Sequence, residues 1–397
     1  MSSIACPYCF KRFSRGEVLF RCSNKRAHSP ELDEELTAHW KSPHMELPAV
    51  KQSSMLARLF DRVPKSAKCS CGAEAFNVMC PHCHNLLPRE LVDSRSMVIS
   101  IVGARSSGKT NYITVLLKEF MDNCDYLGQL GISPSPFGDR EENRTEYRYE
   151  HDFYDFIYRQ GRVQGQTQIN DPRSRVPLIY RVSQKGKDPI YLVFYDTAGE
   201  NFMDQNLLEE NVEYLSISDA TIFLLDTFNV PFVNTLLRDS EKLTEPRTPM
   251  QFYEIFNKVR EYYKSRTDDA HFKKPMAFVF TKIDAILRNR ELFAEKSPAN
   301  MSLEQNSAFL GGGGVDLDDL ESVHDGMKSV LGADAWRCSN FLNQAAEYSN
   351  HHFFGIFALG STPVKNEIRN LRPYRVLDPL VWCMHQLKYS FPLKKKS

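Results

Sequence analysis

Residues 103–110 of this 397-residue chain read Gly103, Ala104, Arg105, Ser106, Ser107, Gly108, Lys109 and Thr110. The two glycines let the backbone curl so that consecutive N–H groups point at one anion, with no Cβ atoms in the way. Lys109 places a point charge on the outer phosphates of a nucleotide, and the Thr110 hydroxyl is a ligand for Mg²⁺. The stretch therefore predicts a phosphate-binding loop.

The residues on either side of this loop have the pattern that such a loop requires. Met97–Val102 is a short β-branched run typical of a buried strand, and Asn111–Phe120 has apolar residues at helical spacing. Strand, loop and helix follow one another in the order of a nucleotide-binding α/β fold. The competing interpretation, a Gly/Ser linker, does not explain the flanking elements.

Three later apolar runs each lead into a polar segment. The runs are Pro189–Tyr195, Ala220–Leu225 and Pro275–Phe280, and the segments after them begin at Asp196, Asp226 and Thr281. Asp-Thr-Ala-Gly-Glu at 196–200 resembles the DxxG motif of Ras-like and translation-factor-like GTPases, and Thr-Lys-Ile-Asp at 281–284 resembles their [NT]KxD motif. The resemblance implies an α/β P-loop GTPase core, a mostly parallel sheet with helices on both faces.

The same resemblance implies roles for individual residues. Asp196 would hold Mg²⁺ through water, and the Gly199 N–H would sense the γ-phosphate. Asp284 would accept hydrogen bonds from guanine N1 and N2, while the stem of Lys282, after Thr281, would cover the base. GTP and GDP are therefore the expected ligands, with Mg²⁺ as the metal and GTP strongly preferred over ATP.

Two further elements of the family leave a weaker trace. Phe353–Phe357 is the expected last strand, and backbone N–H groups of Ala358 and Leu359 would meet the guanine oxygen in the loop after it. Thr167 is the best candidate for the threonine that closes over Mg²⁺ in the GTP state. A solvated loop threonine is the alternative, and the sequence leaves both open.

Two departures from the small-GTPase pattern bear on the rate of hydrolysis. Glu200 stands where Ras-like proteins carry a glutamine that orients the attacking water, and a carboxylate adds negative charge beside the γ-phosphate. Arg105 is either an arginine supplied in cis or, as we favour, a solvated charge. With Lys109, Thr167 and Glu200 as the catalytic candidates, we expect slow unassisted hydrolysis and an arginine brought by a partner if one is required.

The amino-terminal region contains seven of the ten cysteines and has the pattern of a metal-binding module. Cys-Pro-x-Cys, which occurs twice, is a tight knuckle that points two thiolates at one metal, and four such ligands saturate tetrahedral zinc. The nested arrangement has Cys6, Cys9, Cys80 and Cys83 around one Zn²⁺, and Cys22, His28, Cys69 and Cys71 around another. A crossed arrangement remains open, as does a surface role for His28. Zinc in such closed sites would be structural.

Composition and length set the domain organisation. The chain has 50 Lys and Arg residues and 50 Asp and Glu residues, so it has no net positive charge that would favour binding of nucleic acid. The chain has no run of 18 uninterrupted apolar residues, which argues against a conventional transmembrane helix, and we expect a cytoplasmic protein. Residues 1–92 form the predicted zinc-ribbon-like module and 95–390 the GTPase domain, enlarged by helical insertions at 126–177, after Asp226 and at 291–348.

The whole chain also resembles a narrower group, the bacterial double-GTPase proteins. These are TRAFAC-class GTPases proposed to work in NTP-dependent conflict systems. The resemblance implies a regulatory GTPase with protein partners: a GAP-like activator, a second GTPase and an effector. One alternative is a non-hydrolysing assembly or scaffold module that holds GTP as a structural ligand.

The other alternative is a nucleotide-regulated zinc-ribbon protein that binds nucleic acid. Basic and aromatic residues alternate in the amino-terminal module, a pattern compatible with base stacking. They are Phe10, Lys11, Arg12, Phe13, Arg15, Phe20, Arg21, Lys25 and Arg26. A run of acidic residues follows at once, so we expect this function least.

Overall fold

The computed structural model describes residues 4–52, 60, 62–93, 95–104, 107–123, 132–137, 145–163, 176–195, 214–239, 253–265, 269–289, 291–293, 314–361, 363–389 and 391–394. Within these residues, no helix combines the length and the apolar character that crossing a membrane requires.

The elements before residue 94 are short. Among the described residues the strands are β1 (Ile4–Ala5), β2 (Arg12–Phe13), β3 (Leu19–Arg21), β4 (Glu31–Leu32), β5 (Met45–Glu46), β6 (Ala49–Lys51), β7 (Ala67–Lys68), β8 (Glu74–Ala75) and β9 (Asn77–Met79). The helices are α1 (Glu34–Trp40) and α2 (Arg89–Asp93). Strand β3 pairs antiparallel with both β6 and β9, and the other strands form two-stranded pairs. The apolar core of this region is small and includes the buried cysteines themselves.

Helix α1 begins later than its sequence pattern suggests. The polar segment from Glu31 to Trp40 reads as one helix, but Glu31 and Leu32 form strand β4. The helix begins after Asp33 because the Asp33 carboxylate accepts a hydrogen bond from the Leu36 N–H (2.9 Å) and so caps the first turn. Strands β5 and β6 follow this helix.

A seven-stranded mixed sheet forms the centre of the molecule. Its strands are β10 (Arg95–Gly103), β11 (Ile132–Phe137), β12 (Leu178–Gln184), β13 (Ile190–Phe194), β14 (Ala220–Asp226), β15 (Met276–Thr281) and β16 (His351–Gly355). The spatial order is β11-β12-β13-β10-β14-β15-β16. The five strands from β13 to β16 in this order run parallel, whereas β12 runs antiparallel to both of its neighbours, β11 and β13. The carboxyl ends of β10, β14 and β15 therefore meet at one edge of the sheet, where the phosphate and base motifs follow.

Helices cover both faces of this sheet. They are α3 (Lys109–Asp122), α4 (Thr145–Arg148), α5 (Pro231–Asp239), α6 (Glu254–Ser265), α7 (Asp284–Arg288), α8 (Leu317–Gly332), α9 (Ser339–Ala345) and α10 (Asp378–Gln386), with a π-helix at Tyr149–Arg159. Side chains of a strand alternate between the two faces. Accordingly, Met97, Ile99 and Ile101 of β10 join a core with α3, α10 and the π-helix, while Val98 and Val102 join another with α6, α8 and α9.

Candidate functional site

The loop after β10 depends on its two glycines. A Cβ placed on Gly103 would lie 2.4 Å from Ser107 Oγ and 3.0 Å from Leu224 Cβ on the neighbouring strand. Gly108, at the start of α3, has φ +83°, a left-handed conformation that side chains disfavour. The Ser107 N–H donates to Ala104 O (3.1 Å) and closes the turn between the two glycines.

Ser107 and Lys109 give this loop the chemistry of an anion site. Ser107 is fully buried, and its Oγ has no hydrogen-bond partner among the described residues. Buried hydroxyls without a partner are rare because each loses its hydration without replacement. Lys109 is 7% exposed, and it begins a 14-residue helix whose first N–H groups have no partner within the helix. The buried hydroxyl, the ammonium group and the helix start fit phosphate oxygens.

Thr281 ties the predicted base-binding strand to this loop. Its hydroxyl lies 2.9 Å from Ser107 O and 3.3 Å from Leu225 O, and it can donate to either. Ser107 and Thr281 are 174 positions apart in the chain, yet this contact holds the end of β15 directly against the phosphate loop. The two motifs therefore face one site.

Lys282 is held by a residue to which the sequence had assigned no role. Lys282 has φ +62°, and its Nζ lies 2.6 Å from Asp226 Oδ2 and 5.7 Å from the centre of the Phe228 ring. Asp226 is buried at the end of β14, and its other oxygen accepts from the Phe228 N–H (3.0 Å). The ion pair and the ring fix the direction of the lysine stem. A carboxylate directly after an apolar run was the available signal for this role.

Asp284 is a second buried carboxylate on this side of the site. Its side chain is 10% exposed, and burial raises the pKa of Asp284, while Arg288 at 3.6 Å lowers it. A buried carboxylate with this environment gains from ligand N–H donors that replace its lost water. The preceding Ile283 N–H donates to Ile356 O (3.3 Å), which places Asp284 beside the loop after β16.

That loop, with Ala358 and Leu359, is fixed by a distant segment. Phe357 and Tyr374 exchange two backbone hydrogen bonds (3.3 and 2.8 Å), their rings stack at 4.8 Å, and the Arg372 N–H donates to Leu359 O (3.3 Å). The described structure therefore brings Ala358 and Leu359 next to the Asp284 strand end in a braced conformation. The sequence gives no signal for Tyr374 and Arg372, because their hydrogen bonds to this loop are made by the backbone.

The first set of cysteines is brought together as the nested arrangement requires. The ligand atoms of Cys6, Cys9, Cys80 and Cys83 all lie within 4.8 Å of one another. The Sγ atoms of Cys6 and Cys83 are 3.7 Å apart, and those of Cys9 and Cys80 are 3.8 Å apart. Tetrahedral zinc with Zn–S distances of about 2.3 Å separates its sulfur ligands by about 3.8 Å. The four thiols fit a zinc ion.

The second set is Cys22, His28, Cys69 and Cys71, whose ligand atoms also lie within 4.8 Å of one another. His28 Nε2 is 3.3 Å from Cys69 Sγ, so the imidazole faces the thiols. The backbone N–H of Cys71 lowers the pKa of Cys69 to about 6, which favours the thiolate that metals bind. None of the nine described cysteines forms a disulfide. Both sets are closed four-ligand groups, suited to structural rather than catalytic zinc.

Several predicted site residues lie outside the described residues, and their roles stay predictions. They are Arg105, Ser106, Thr167, Asp196, Gly199 and Glu200.

Replacing Gly103 with alanine tests the close approach of the loop to β14. We expect nucleotide affinity to fall at least 10-fold, because the new Cβ displaces Ser107 and the loop that carries Lys109. Binding of a fluorescent guanine nucleotide would be measured by titration. Gly332→Ala is the matched control, since a Cβ there meets only Leu342 Cδ1 at 3.8 Å. Unchanged affinity in Gly103→Ala would mean that this loop does not contact the ligand.

Comparison with known proteins gives one similar curated sequence and several partial structural likenesses. No protein-family model matches the chain. It is 24% identical over 393 residues to the "Putative ESX-1 scaffolding and assembly protein SaeC" of Mycolicibacterium smegmatis, which covers 95% of this chain and 97% of that one.

Three solved structures of nucleotide-bound proteins overlap in part. The Arl6 (BBS3) small GTPase of Trypanosoma brucei with GppNp is 11% identical, with a TM-score of 0.29 and 74% of this chain and 98% of that chain covered. Roco2 RocCORdC of Methanosarcina barkeri bound to GDP is 18% identical, with a TM-score of 0.22 and with 51% of this chain and 41% of that chain covered. The GTP-bound Ski7 GTPase-like domain of S. cerevisiae is 11% identical, with a TM-score of 0.29 and with 75% of this chain and 51% of that chain covered. Likenesses at this level say nothing about ligand or activity.

Proposed function

We propose that this chain is a GTP-binding regulatory switch that hydrolyses GTP slowly on its own. The observation that carries the proposal is the hydrogen bond between Thr281 and Ser107. It joins the end of the base-binding strand to the phosphate loop, so that one nucleotide can span both. A phosphate loop by itself would accept any nucleoside triphosphate, whereas Asp284 beside it adds a choice of base.

In this proposal the phosphate side of the site is built around Lys109 and Thr110. Lys109 neutralises the outer phosphates, and the free Ser107 hydroxyl donates to a phosphate oxygen. Thr110 and, through water, Asp196 would hold Mg²⁺, which supplies charge neutralisation between the phosphates. Gly199 would report the γ-phosphate to the segment that follows.

On the base side, one carboxylate accepts hydrogen bonds from the base and one lysine stem covers its face. Asp284 accepts from the N1 and N2 groups of guanine, an arrangement that adenine cannot offer because it lacks both donors at these positions. Lys282, aligned by Asp226, covers the base with its stem. Backbone N–H groups of Ala358 and Leu359 meet the guanine oxygen. Burial keeps water away from this acceptor and, in the free protein, raises the pKa of Asp284.

We infer slow turnover from Glu200, with Thr167 as the proposed Mg²⁺-closing threonine. A carboxylate at position 200 repels the γ-phosphate and cannot orient water as an amide does. A GAP-like protein that brings an arginine is the proposed activator. A second GTPase and an effector are the other proposed partners, with the zinc module, which we place at 1–92, as their docking element.

A GTP-dependent assembly module is the second candidate. The similar mycobacterial protein is named for scaffolding and assembly, and the similarity extends over nearly the full length of both chains. In that case GTP would be a structural ligand and Glu200 would block its hydrolysis. Nucleic-acid binding gains no support, because Phe13 and Phe20 are buried and Phe10 packs against other aromatic rings rather than being free to stack.

Competition between unlabelled nucleotides tests the proposal. With Mg²⁺ present, we expect GTP to displace a fluorescent guanine nucleotide at least 100-fold better than ATP. Intrinsic turnover should lie on the order of 10⁻⁴ to 10⁻² s⁻¹, the range of unassisted GTPases. Equal displacement by ATP would overturn guanine recognition. Tight GTP binding with no turnover, alone or with the activating partner, would favour the assembly module.

A further inference from the structure

The residue after each Cys-Pro-x-Cys knuckle has a left-handed backbone. Phe10 follows Cys9 with φ +63°, and His84 follows Cys83 with φ +55°. Glycine is the default residue for this conformation, and a bulky side chain there is strained. Strained positions persist where the surrounding structure over-determines them. Contacts of each side chain with its surroundings should therefore offset the strain.

His84 acts within its own module. Its Nδ1 lies 2.9 Å from Asp33 Oδ1, and Asp33 also pairs with Arg21 (2.7 Å) and caps helix α1. The imidazole therefore ties the second knuckle to the start of α1. Its strain is explained by contacts that stay before residue 94.

Phe10 instead leaves the module and packs on the central sheet. Its ring lies 5.3 Å from Tyr195 in an edge-to-face arrangement and 5.6 Å from Tyr214. Tyr195 and Tyr214 contact each other at 4.5 Å, and the Tyr195 hydroxyl donates to Pro7 O within the same knuckle. The first knuckle is thus held by a three-ring cluster and one hydrogen bond.

The two tyrosines stand next to the phosphate-binding residues. Tyr195 follows β13 and directly precedes Asp196, the proposed Mg²⁺ residue. The Tyr214 hydroxyl accepts a hydrogen bond from the Ile101 N–H (3.2 Å), two residues before Gly103. The ring of Phe10 therefore contacts one tyrosine at the end of β13 and another that is hydrogen-bonded to β10. The proposed phosphate-binding residues follow these two strands.

We infer that Phe10 is a positioning residue that couples the first zinc site to the nucleotide site. Metal bound by Cys6, Cys9, Cys80 and Cys83 fixes the knuckle, the knuckle holds Phe10 on Tyr195 and Tyr214, and the tyrosines set the strand ends at the phosphates. The inference rests on the proposed function and adds zinc as a second ligand, whose binding is linked to that of the nucleotide. Coupling between two binding sites is reciprocal, so Mg²⁺·GTP must tighten zinc by the factor by which zinc tightens Mg²⁺·GTP.

Zinc affinity of the full chain, titrated by competition with a chromophoric chelator, tests the coupling without reference to activity. Adding GppNp and Mg²⁺ should raise one of the two zinc affinities about 10-fold in the wild type. Phe10→Gly should still bind two zinc ions, because glycine suits the backbone, but its zinc affinity should no longer respond to nucleotide. His84→Gly makes the same change at the other knuckle of the same site and should keep the response.

The outcomes separate the inference from the function beneath it. A wild type that binds GppNp with unchanged zinc affinity, or a response lost equally in both glycine variants, overturns the coupling alone. A wild type that binds no guanine nucleotide overturns the proposed function and the coupling with it. Should Phe10→Gly lose zinc, Tyr195→Phe removes only the hydroxyl on Pro7 and should weaken the response at least 3-fold, whereas a full response there contradicts the inference.

Discussion

Replacement of Cys80 by serine is expected to empty one zinc site and unfold the region before residue 94. Its core is small and is built partly from the cysteines, so apolar burial cannot hold it without metal. Structural zinc contributes an apparent binding free energy of about 10–16 kcal/mol in zinc-finger peptides, and removal of one ligand forfeits much of it. Zinc content per chain should fall from two to at most one, because unfolding of the region also weakens the second ligand set, and limited proteolysis should cut before residue 94.

Cys383→Ser is the control for this change. Cys383 is a fully buried thiol in α10 and belongs to neither ligand set. It should leave zinc content and the proteolysis pattern before residue 94 unchanged. If Cys80→Ser retained two zinc ions per chain, the first set would not be a metal site.

Replacement of Asp284 by asparagine should abolish the preference for GTP over ATP. The carboxylate is proposed to accept two hydrogen bonds from guanine, and bonds to a charged group contribute about 1.5–3 kcal/mol each. GTP affinity should therefore fall about 100-fold or more, while ATP affinity stays the same or rises. The same competition assay measures both. Asp318→Asn, an exposed aspartate in the first turn of α8, should change neither affinity.

Asp284→Asn should lower GTP affinity but raise the stability of the protein without nucleotide. Burial raises the folded-state pKa of Asp284 above the unfolded value of 3.8, so the folded protein binds more protons than the unfolded one between the two pKa values. The free energy of unfolding therefore decreases as pH rises through this window. Asp284→Asn should raise the thermal midpoint of the free protein at pH 7 and lose this advantage below the unfolded pKa. A midpoint that falls at pH 7 would show a structural role instead.

Much of the central sheet follows from local patterns. The apolar runs that begin at Met97, Pro189, Ala220 and Pro275 are all strands, and each prediction is accurate to within two residues, because fully buried strands read as continuous apolar segments. The segment from Leu371 to Trp382 and onward predicts a final helix with Pro379 near its first turn. Helix α10 has Pro379 in its first turn but begins only at Asp378, so the residues from Leu371 to Leu377 are not helical. These features depend on the nearest neighbours in the chain.

The connections between elements could not be predicted in this way. Asp226 pairs with Lys282 across 56 positions, and Tyr195 bonds to Pro7 across 188. Nothing in the residues around Phe10 shows that its ring packs on the central sheet, since a phenylalanine after a knuckle is equally suited to a local core. The strand at Glu31–Leu32 was missed because a helix pattern does not show which aspartate caps it. Partner choice at a distance is set by the packing of whole elements.

The nested order of the two cysteine sets has a consequence for how the chain folds. Cys9 and Cys80 are 71 positions apart, and the inner set lies between them. Once the inner ligands are gathered, the segment that must close to complete the outer set shrinks to about 20 free residues, which lowers its closure entropy cost by about 1 kcal/mol. Inner-first assembly is therefore the favoured route. Phe10, carried on the outer knuckle, would reach the sheet last, after the inner half of its module is already in place.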